Sequence, residues 1–371
     1  MRVLYAADTQ LPSRAANTVQ SMRTVEALQD AGHDITFMAR GLGATSTEIS
    51  KHYGLKSAVR VVSARTGPWP FRSWQFAVAV GLTARSGKFD VLVTRSEKSA
   101  RIAVGLGVPT VLELHVPLRS RGLIGAVTRD GVPALVTISE ALKDEVRLQI
   151  EETVQVAVIH DGAPSWFRME EARVHRAVPE RLKVGYVGHL YPGKGMEMVE
   201  QLSARCEWAD FVVVGGEDSD IECWRSVLHG RRNIDLLGHR AHHEIHGVLA
   251  GLDVGLLPNG AVVRDAGGED ISAWTSPLKM FEYMAAGLAI VASDLPNLRE
   301  VLIDDVNALM RPVGDVNAWA SALELLRREP TLRRRLGVRA ARDLEQHYSW
   351  RRRAERLTEV MLDASSGLRS R

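Results

Sequence analysis

The stretch Trp274–Thr275–Ser276–Pro277–Leu278–Lys279–Met280–Phe281–Glu282–Tyr283–Met284–Ala285–Ala286–Gly287 holds the residue types best placed to do chemistry. Ser276 is a favoured N-cap and Pro277 suits a first helical position, so the spacing predicts a helix opening there. Gly287 fits the position just past its end. The unpaired N–H groups of Leu278 and Lys279, aligned with the helix dipole, then form an anion site, and the Lys279 ammonium adds a full charge. Glu282 lies one turn further in, and helical side chains lean toward the N-terminus, which carries its carboxylate toward the same spot. Donors for a diphosphate and an acceptor for paired hydroxyls, such as those of a ribose, would share one pocket. The same residues also fit a plain capped helix with a surface Lys279 paired to Glu282, and capping alone favours that reading.

Other segments could contribute. Gly188–His189–Leu190–Tyr191–Pro192–Gly193–Lys194–Gly195 is a glycine-bounded loop with a lysine, placed after a strand-like run and before a helix. Such loops can embrace phosphate, although the Gly-Lys-Ser/Thr ending of a P-loop is missing. His115 ends the run Leu112–Glu113–Leu114–His115, at a predicted strand tip, where most single histidines are structural. Gly215–Gly216–Glu217 and Gly238–His239–Arg240 each follow a strand, where simple turns would place them. In the loop from Asp8 to Asn17, Arg14 and Asn17 could meet a phosphate or an acceptor, or stay merely exposed. His242, His243 and His246 form a cluster without an acidic partner set, which favours a surface helix over a metal site. Cys206 and Cys223 have no metal-ligand spacing. Trp69–Pro70–Phe71–Arg72–Ser73–Trp74 mixes aromatics with arginine, as a lipid-interface patch, an acceptor wall or simple packing.

These segments need strands to hold them. Val3–Ala7, Ile35–Met38, Val59–Val62, Val91–Val93, Thr110–Leu114, Ala134–Ile138 and Val154–Ile159 are short apolar runs with helical stretches between them. Leu182–Val187, Phe211–Val214, Ile234–Leu237, Val254–Leu257, Ala289–Ala292 and Ala308–Met310 repeat the pattern. Such alternation predicts an α/β fold with parallel sheets covered by helices on both faces. The simplest arrangement is two Rossmann-like domains facing across a cleft, with a boundary between Ala163 and Arg181. Ligands in such sheets bind beyond the carboxyl ends of the strands. After Pro330 the chain reads as helical.

The 371 residues suffice for two domains, with 45% hydrophobic and 25% charged residues. A net charge of +2 does not suggest a nucleic-acid binder. From Arg327 onward, thirteen arginines and no lysine stand against six acidic residues. That basic end could touch an anionic membrane, and a solvated helix face is the alternative. No signal-peptide core opens the chain, and no apolar run reaches the ~20 residues that span a bilayer. The expectation is a cytoplasmic protein, with peripheral contact at the inner membrane face left open.

The Ser276 stretch resembles the donor-site signature of the family-4 glycosyltransferases, in the branch reading Ser-Pro-x-Lys-x-Phe-Glu-Tyr-Met-Ala. That resemblance implies the GT-B fold and transfer with retention from a nucleotide diphosphate sugar, with no metal or other cofactor. The implied acceptor is a glycan, a lipid-linked glycan or a small molecule in cell-envelope polysaccharide or glycoconjugate synthesis. Domain bounds would be 1–165 for the acceptor and 180–349 for the donor, with a helix from about 350 to 371 packing back on the first. Glu282 resembles the family's ribose-binding glutamate. A second glutamate, eight residues earlier, is replaced by Trp274. Lys194 matches the lysine of an Arg-x-x-x-x-Lys element whose arginine is here His189. His115 matches a histidine that meets the donor sugar. Gly188, Gly216, Gly238 and His239 resemble loop positions beside the nucleotide, joined by Ser276, Pro277, Leu278 and Lys279. In the loop holding Arg14 and Asn17, the family's glycine pair is absent. The resemblance thus makes His115, Lys194 and Glu282 the catalytic candidates. A non-catalytic nucleotide-binding or scaffold relative is the alternative. A dinucleotide oxidoreductase ranks low, because Ala6–Ala7–Asp8–Thr9–Gln10 lacks the G-x-G-x-x-G turn.

Overall fold

Strands covered on both faces need continuous rather than alternating apolar residues, and Val3–Leu4–Tyr5–Ala6 and Val91–Leu92–Val93 are such runs, fully buried. The structure, a computed structural model, describes residues 1–13, 15–64, 66, 67, 71–119, 122–125, 133–165, 180–264, 268 and 270–367. The chain divides into two compact units, Met1–Asp161 with Trp350–Arg371, and Gly162–Ser349.

Unit 1 holds β1 (Arg2–Leu11), β2 (Asp34–Leu42), β3 (Arg60–Ser63), β4 (Val91–Thr94), β5 (Thr110–Leu114), β6 (Ala134–Thr137) and β7 (Val156–Val158). They pair in parallel in the order β3-β2-β1-β4-β5-β6-β7. The helices are α1 (Ala16–Asp30), α2 (Ser46–His52), α3 (Arg72–Arg85), α4 (Glu97–Gly105) and α5 (Glu140–Arg147). β1 runs on to Leu11, so the loop foreseen from Asp8 is shorter. Gln10 and Leu11 keep pairing with Gly41 and Leu42 across a register shift.

Unit 2 holds β8 (Leu182–Val187), β9 (Ala209–Val214), β10 (Ile234–Gly238), β11 (Val254–Leu257), β12 (Ala289–Ser293) and β13 (Leu309–Arg311), again parallel, in the order β10-β9-β8-β11-β12-β13. Its helices are α6 (Met196–Arg205), α7 (Asp218–Val227), α8 (His242–Ala250), α9 (Leu278–Ala285), α10 (Pro296–Arg299), α11 (Val316–Arg328) and α12 (Pro330–Asp343). On β12, Ala289 and Val291 join one core cluster with Phe211 and Trp319. Ile290 and Ala292 join a second with Phe281 and Tyr283. Successive side chains of one strand thus enter opposite layers, as a three-layer fold requires. Both units are Rossmann-like.

A π-helical turn, Leu344–Tyr348, ends α12, and α13 (Trp350–Gly367) returns to unit 1. There Ala354, Leu357 and Met361 are buried, and the helix lies against α1 and β5. Among the described residues, no helix is long and apolar enough to cross a membrane.

Candidate functional site

In unit 2 the carboxyl ends of three adjacent strands are stitched together by their glycines. Gly188 N–H donates to the Val214 carbonyl (2.9 Å), and Gly215 N–H to the Gly238 carbonyl (2.9 Å). Gly188, Gly216 and Gly238 are thereby gathered at one end of the sheet, and His239 follows, exposed. The approach is close enough to need glycine. At Gly215 (φ +115°) a Cβ would stand 2.1 Å from the Gly188 carbonyl oxygen. At Gly195 (φ +93°), which opens α6, it would stand 1.9 Å from the Pro258 oxygen. Their backbone conformation also lies in the left-handed region that side chains avoid.

Tyr186, near the end of β8, organises the loop 188–195. Its ring is buried, and its hydroxyl lies 2.6 Å from the His189 carbonyl and 3.1 Å from the Lys194 carbonyl, donating to the loop. The Lys279 ammonium sits over the same ring, 4.1 Å from its centroid. Lys279 is only 9% exposed, and among the described residues its Nζ has no hydrogen-bond partner. Burial, reinforced by Lys194, pushes its pKa well below the ordinary lysine value. Lys194 is itself lowered by burial, with its Nζ 5.3 Å from the Tyr191 ring. Burial and Lys194 also hold His189 below its usual value, so it enters as a neutral ring. A buried cation with no acceptor among the described residues, beside a second lysine, is costly unless an anion joins them. Ser276 Oγ and Asn259 Oδ1 also lack partners among the described residues.

The helix carrying Lys279 departs from the expected form. It is Leu278–Ala285, and Pro277, not Ser276, occupies the N-cap; no side chain caps it. Pro277 has extended backbone there, so the turn closes through Met280 N–H to the Pro277 carbonyl (3.0 Å). Ser276 therefore stands outside the cap. Gly287 (φ +64°) does end the helix, with Leu288 N–H donating to the Tyr283 carbonyl (3.1 Å). The helix is buried nearly all round, and Tyr283 Oη accepts from Val187 N–H (2.8 Å), which ties α9 to the end of β8.

Glu282 is buried and faces His242, with Oε1 2.8 Å from Nε2. The surface Lys279–Glu282 pair weighed above does not form. The helix expected to lie at the surface does expose His243 and His246, while His242, in the first turn of α8, makes the contact with Glu282. Spacing within α8 carries no sign of this, because the contact is made with another helix. Tyr186 was also missed, since a tyrosine in a buried strand looks like core. Trp274, where the resemblance places a glutamate, is half-buried.

The unit 1 candidate, His115, lies just beyond β5. Its Nε2 is 2.6 Å from Glu113 Oε1, and the same oxygen accepts from Gln20 Nε2 (3.0 Å). Glu113 Oε2 accepts from Arg353 Nη2 (2.6 Å). Burial acts to raise Glu113, but Arg353 and then His115 outweigh it and hold the carboxyl far below its usual range. Burial and Arg95 lower His115, against the pull of Glu113. Arg353 Nη1 also donates to the Ile159 (2.6 Å) and His160 (2.7 Å) carbonyls, which fastens α13 to the strand ends. Arg95 Nη1 donates to the carbonyl of Asn17 and to Gln20 Oε1, both at 3.0 Å. Asn17 is thus within this group, and Arg14 lies outside the described residues. Among the described residues, no three His, Cys, Asp or Glu side chains gather as metal ligands.

Comparison with known proteins gives this geometry a setting. Residues 19–165 match the model of Glycosyltransferase Family 4, and residues 181–329 match that of Glycosyl transferases group 1. The chain is 25% identical to the glycogen synthase of Mycobacterium tuberculosis, covering 92% of this chain and 90% of that protein. It is 33% identical to the D-inositol 3-phosphate glycosyltransferase of Saccharomonospora viridis over a shorter stretch, 25% of this chain and 21% of that one. Anabaena HepE, solved with UDP-glucose, superposes at TM-score 0.73 with 15% identity, covering 98% of this chain and 100% of that one. Sucrose-phosphate synthase of Thermosynechococcus elongatus superposes equally, at 0.73 with 16% identity over 99% and 100%. These structural likenesses fix the fold class as GT-B.

Proposed function

We propose that this chain, a glycosyltransferase family 4-like protein, moves a sugar with retention from a nucleotide diphosphate donor to a glycan or lipid-linked acceptor in cell-envelope synthesis. The observation that carries the reading is the buried Lys279 side chain, whose Nζ lies over Tyr186 with no hydrogen-bond partner among the described residues and in the repulsive field of Lys194. A diphosphate would supply the missing acceptors. The HepE complex with UDP-glucose supports a nucleotide-sugar donor for the same fold.

In this reading the bond from the anomeric carbon to the β-phosphate oxygen breaks, and charge collects on that phosphate. Lys194, Lys279 and the free N–H groups opening α9 would stabilise it; one such donor is commonly worth ~10²–10³ in rate. Glu282, oriented by His242, would accept from the ribose hydroxyls. His115 would hydrogen-bond the transferred sugar. The acceptor hydroxyl bonds to the anomeric carbon on the face the phosphate leaves, and its proton passes to the departing phosphate. No resident metal or cofactor is assigned a part.

A second reading, a nucleotide-binding scaffold without turnover, draws on Trp274 and His189 in place of a glutamate and an arginine. Calorimetry with a panel of nucleoside diphosphates, followed by donor turnover in wild type, Lys194→Ala and Glu282→Ala, separates the two. Binding with turnover that both substitutions reduce supports the transferase. Unchanged rates in both would sink the proposed site, and binding without turnover on a broad acceptor panel would favour the scaffold.

A further inference from the structure

Helix α3 is apolar on two sides. Phe76, Ala77, Val80 and Ala84 face inward and are buried. Phe71, at its N-cap, and Trp74, Val78 and Leu82 are left 67%, 40%, 43% and 59% exposed. Spacings of three, four and four residues put those four on one side of the helix. Contiguous exposed apolar surface of this kind marks an interaction site.

The surroundings are basic. Between residues 71 and 101 stand Arg72, Arg85, Lys88, Lys98 and Arg101, besides Arg95, which is held in the His115 group, against only Asp90 and Glu97. Asp90 is taken by Arg2, at 3.0 Å from its Nη2, and Glu97 accepts from Arg119 N–H (3.0 Å). Arg72 and Arg85 lie at the two ends of α3, and Lys98 Nζ lies 5.4 Å from the centre of the Trp74 ring. The arginine-rich helices of α11 to α13 are different: Arg327 and Arg328 pair with Glu324, Arg335 with Asp305, Arg339 with Asp343 and Arg352 with Glu355. Much of that charge already has acidic partners.

We infer that the outer face of α3 docks on an anionic lipid surface, with Phe71, Trp74, Val78 and Leu82 entering the headgroup boundary and the flanking cations meeting lipid phosphates. An apolar stripe fringed by lysine and arginine suits that interface. A second copy of the chain suits it less, because pairing α3 with itself would set cation against cation. The inference does not depend on the transfer reaction.

Cosedimentation of the full chain with phosphatidylcholine vesicles, with and without phosphatidylglycerol, tests this. Binding should require phosphatidylglycerol and weaken as salt is raised. The triple substitution Trp74→Ser, Val78→Ser, Leu82→Ser and, separately, the pair Arg85→Glu, Lys98→Glu should each cut partitioning about tenfold or more. Cooperative thermal unfolding checks that each variant folds; if the triple variant does not, the charge-reversed pair carries the test. Wild type that ignores anionic vesicles, variants that bind as wild type does, or self-association abolished by the triple substitution would each overturn the proposal.

Discussion

Lys279 Nζ stands 4.1 Å from the ring centre of Tyr186, and the hydroxyl of that same ring holds the loop carrying Lys194. One strand residue therefore sets the height of both cations. This arrangement buries the Lys279 amine without a hydrogen-bond partner among the described residues, so stability and ligand affinity should pull in opposite directions.

Lys279→Met should stabilise the free protein by about 1 kcal/mol, because an unsatisfied buried polar group is removed. The same change should weaken pyrophosphate binding severely. Because the folded-state pKa of Lys279 is lowered, the unfolded chain holds more protons between that value and 10.5. Wild-type stability then rises with pH through this window. Urea midpoints across alkaline pH should show that slope, and the Met variant should lose its Lys279 share.

Anion binding should reverse the depression of Lys279 and draw a proton from solution. Calorimetric titration with pyrophosphate across alkaline pH, in buffers of different ionisation enthalpy, should report net proton uptake by Lys279. An unchanged uptake in Lys279→Met would trace the proton to another group.

Tyr186→Phe separates the two jobs of Tyr186. The ring stays beneath Lys279, and the hydroxyl contacts to His189 and Lys194 vanish. The fold should survive with a loss of about 1 kcal/mol. Pyrophosphate affinity should fall further than stability does, as measured by calorimetry beside thermal unfolding.

Arg353→Met strands Glu113 in the core. Removing one member of a buried ion pair costs about 3–5 kcal/mol, and adding Glu113→Gln should recover much of it. Wild-type Glu113 has a lowered folded-state pKa, so its stabilisation holds above the unfolded value of 4.5 and fades as pH falls through the folded one. Without Arg353 that depression is lost and burial raises the carboxyl instead, so the acid-side fade should shrink or reverse. Urea unfolding from neutral to acid pH in the three proteins checks both statements.

The α/β architecture could be read from the apolar runs, because strands covered on both faces have few other ways to be written. Gly287 could be read as a helix end for a similar reason, since a left-handed residue there is usually glycine. Ser276 misled, because N-cap preference is local and Pro277 adopts extended backbone at that place. The Glu282–His242 pair and the Glu113–Arg353 pair were not legible. Each joins residues from different elements, and no periodicity encodes which helix will lie beside which. The Lys194 loop could be found by its glycines, yet the tyrosine beneath it could not, because burial hides its second role.

The chain leaves unit 1 after Asp161 and re-enters it at Trp350. During synthesis, the sheet of unit 1 therefore emerges well before the helix that covers part of it. Until Arg353 leaves the ribosome, Glu113 lacks its hydrogen-bonded guanidinium, and the surface awaiting Ala354, Leu357 and Met361 stays wet. Unit 2 needs no segment from either flank and can close its core in the meantime. Of the two units, the one whose synthesis starts earlier is thus completed later, and release of a chain stopped short of α13 would leave unit 1 unfinished.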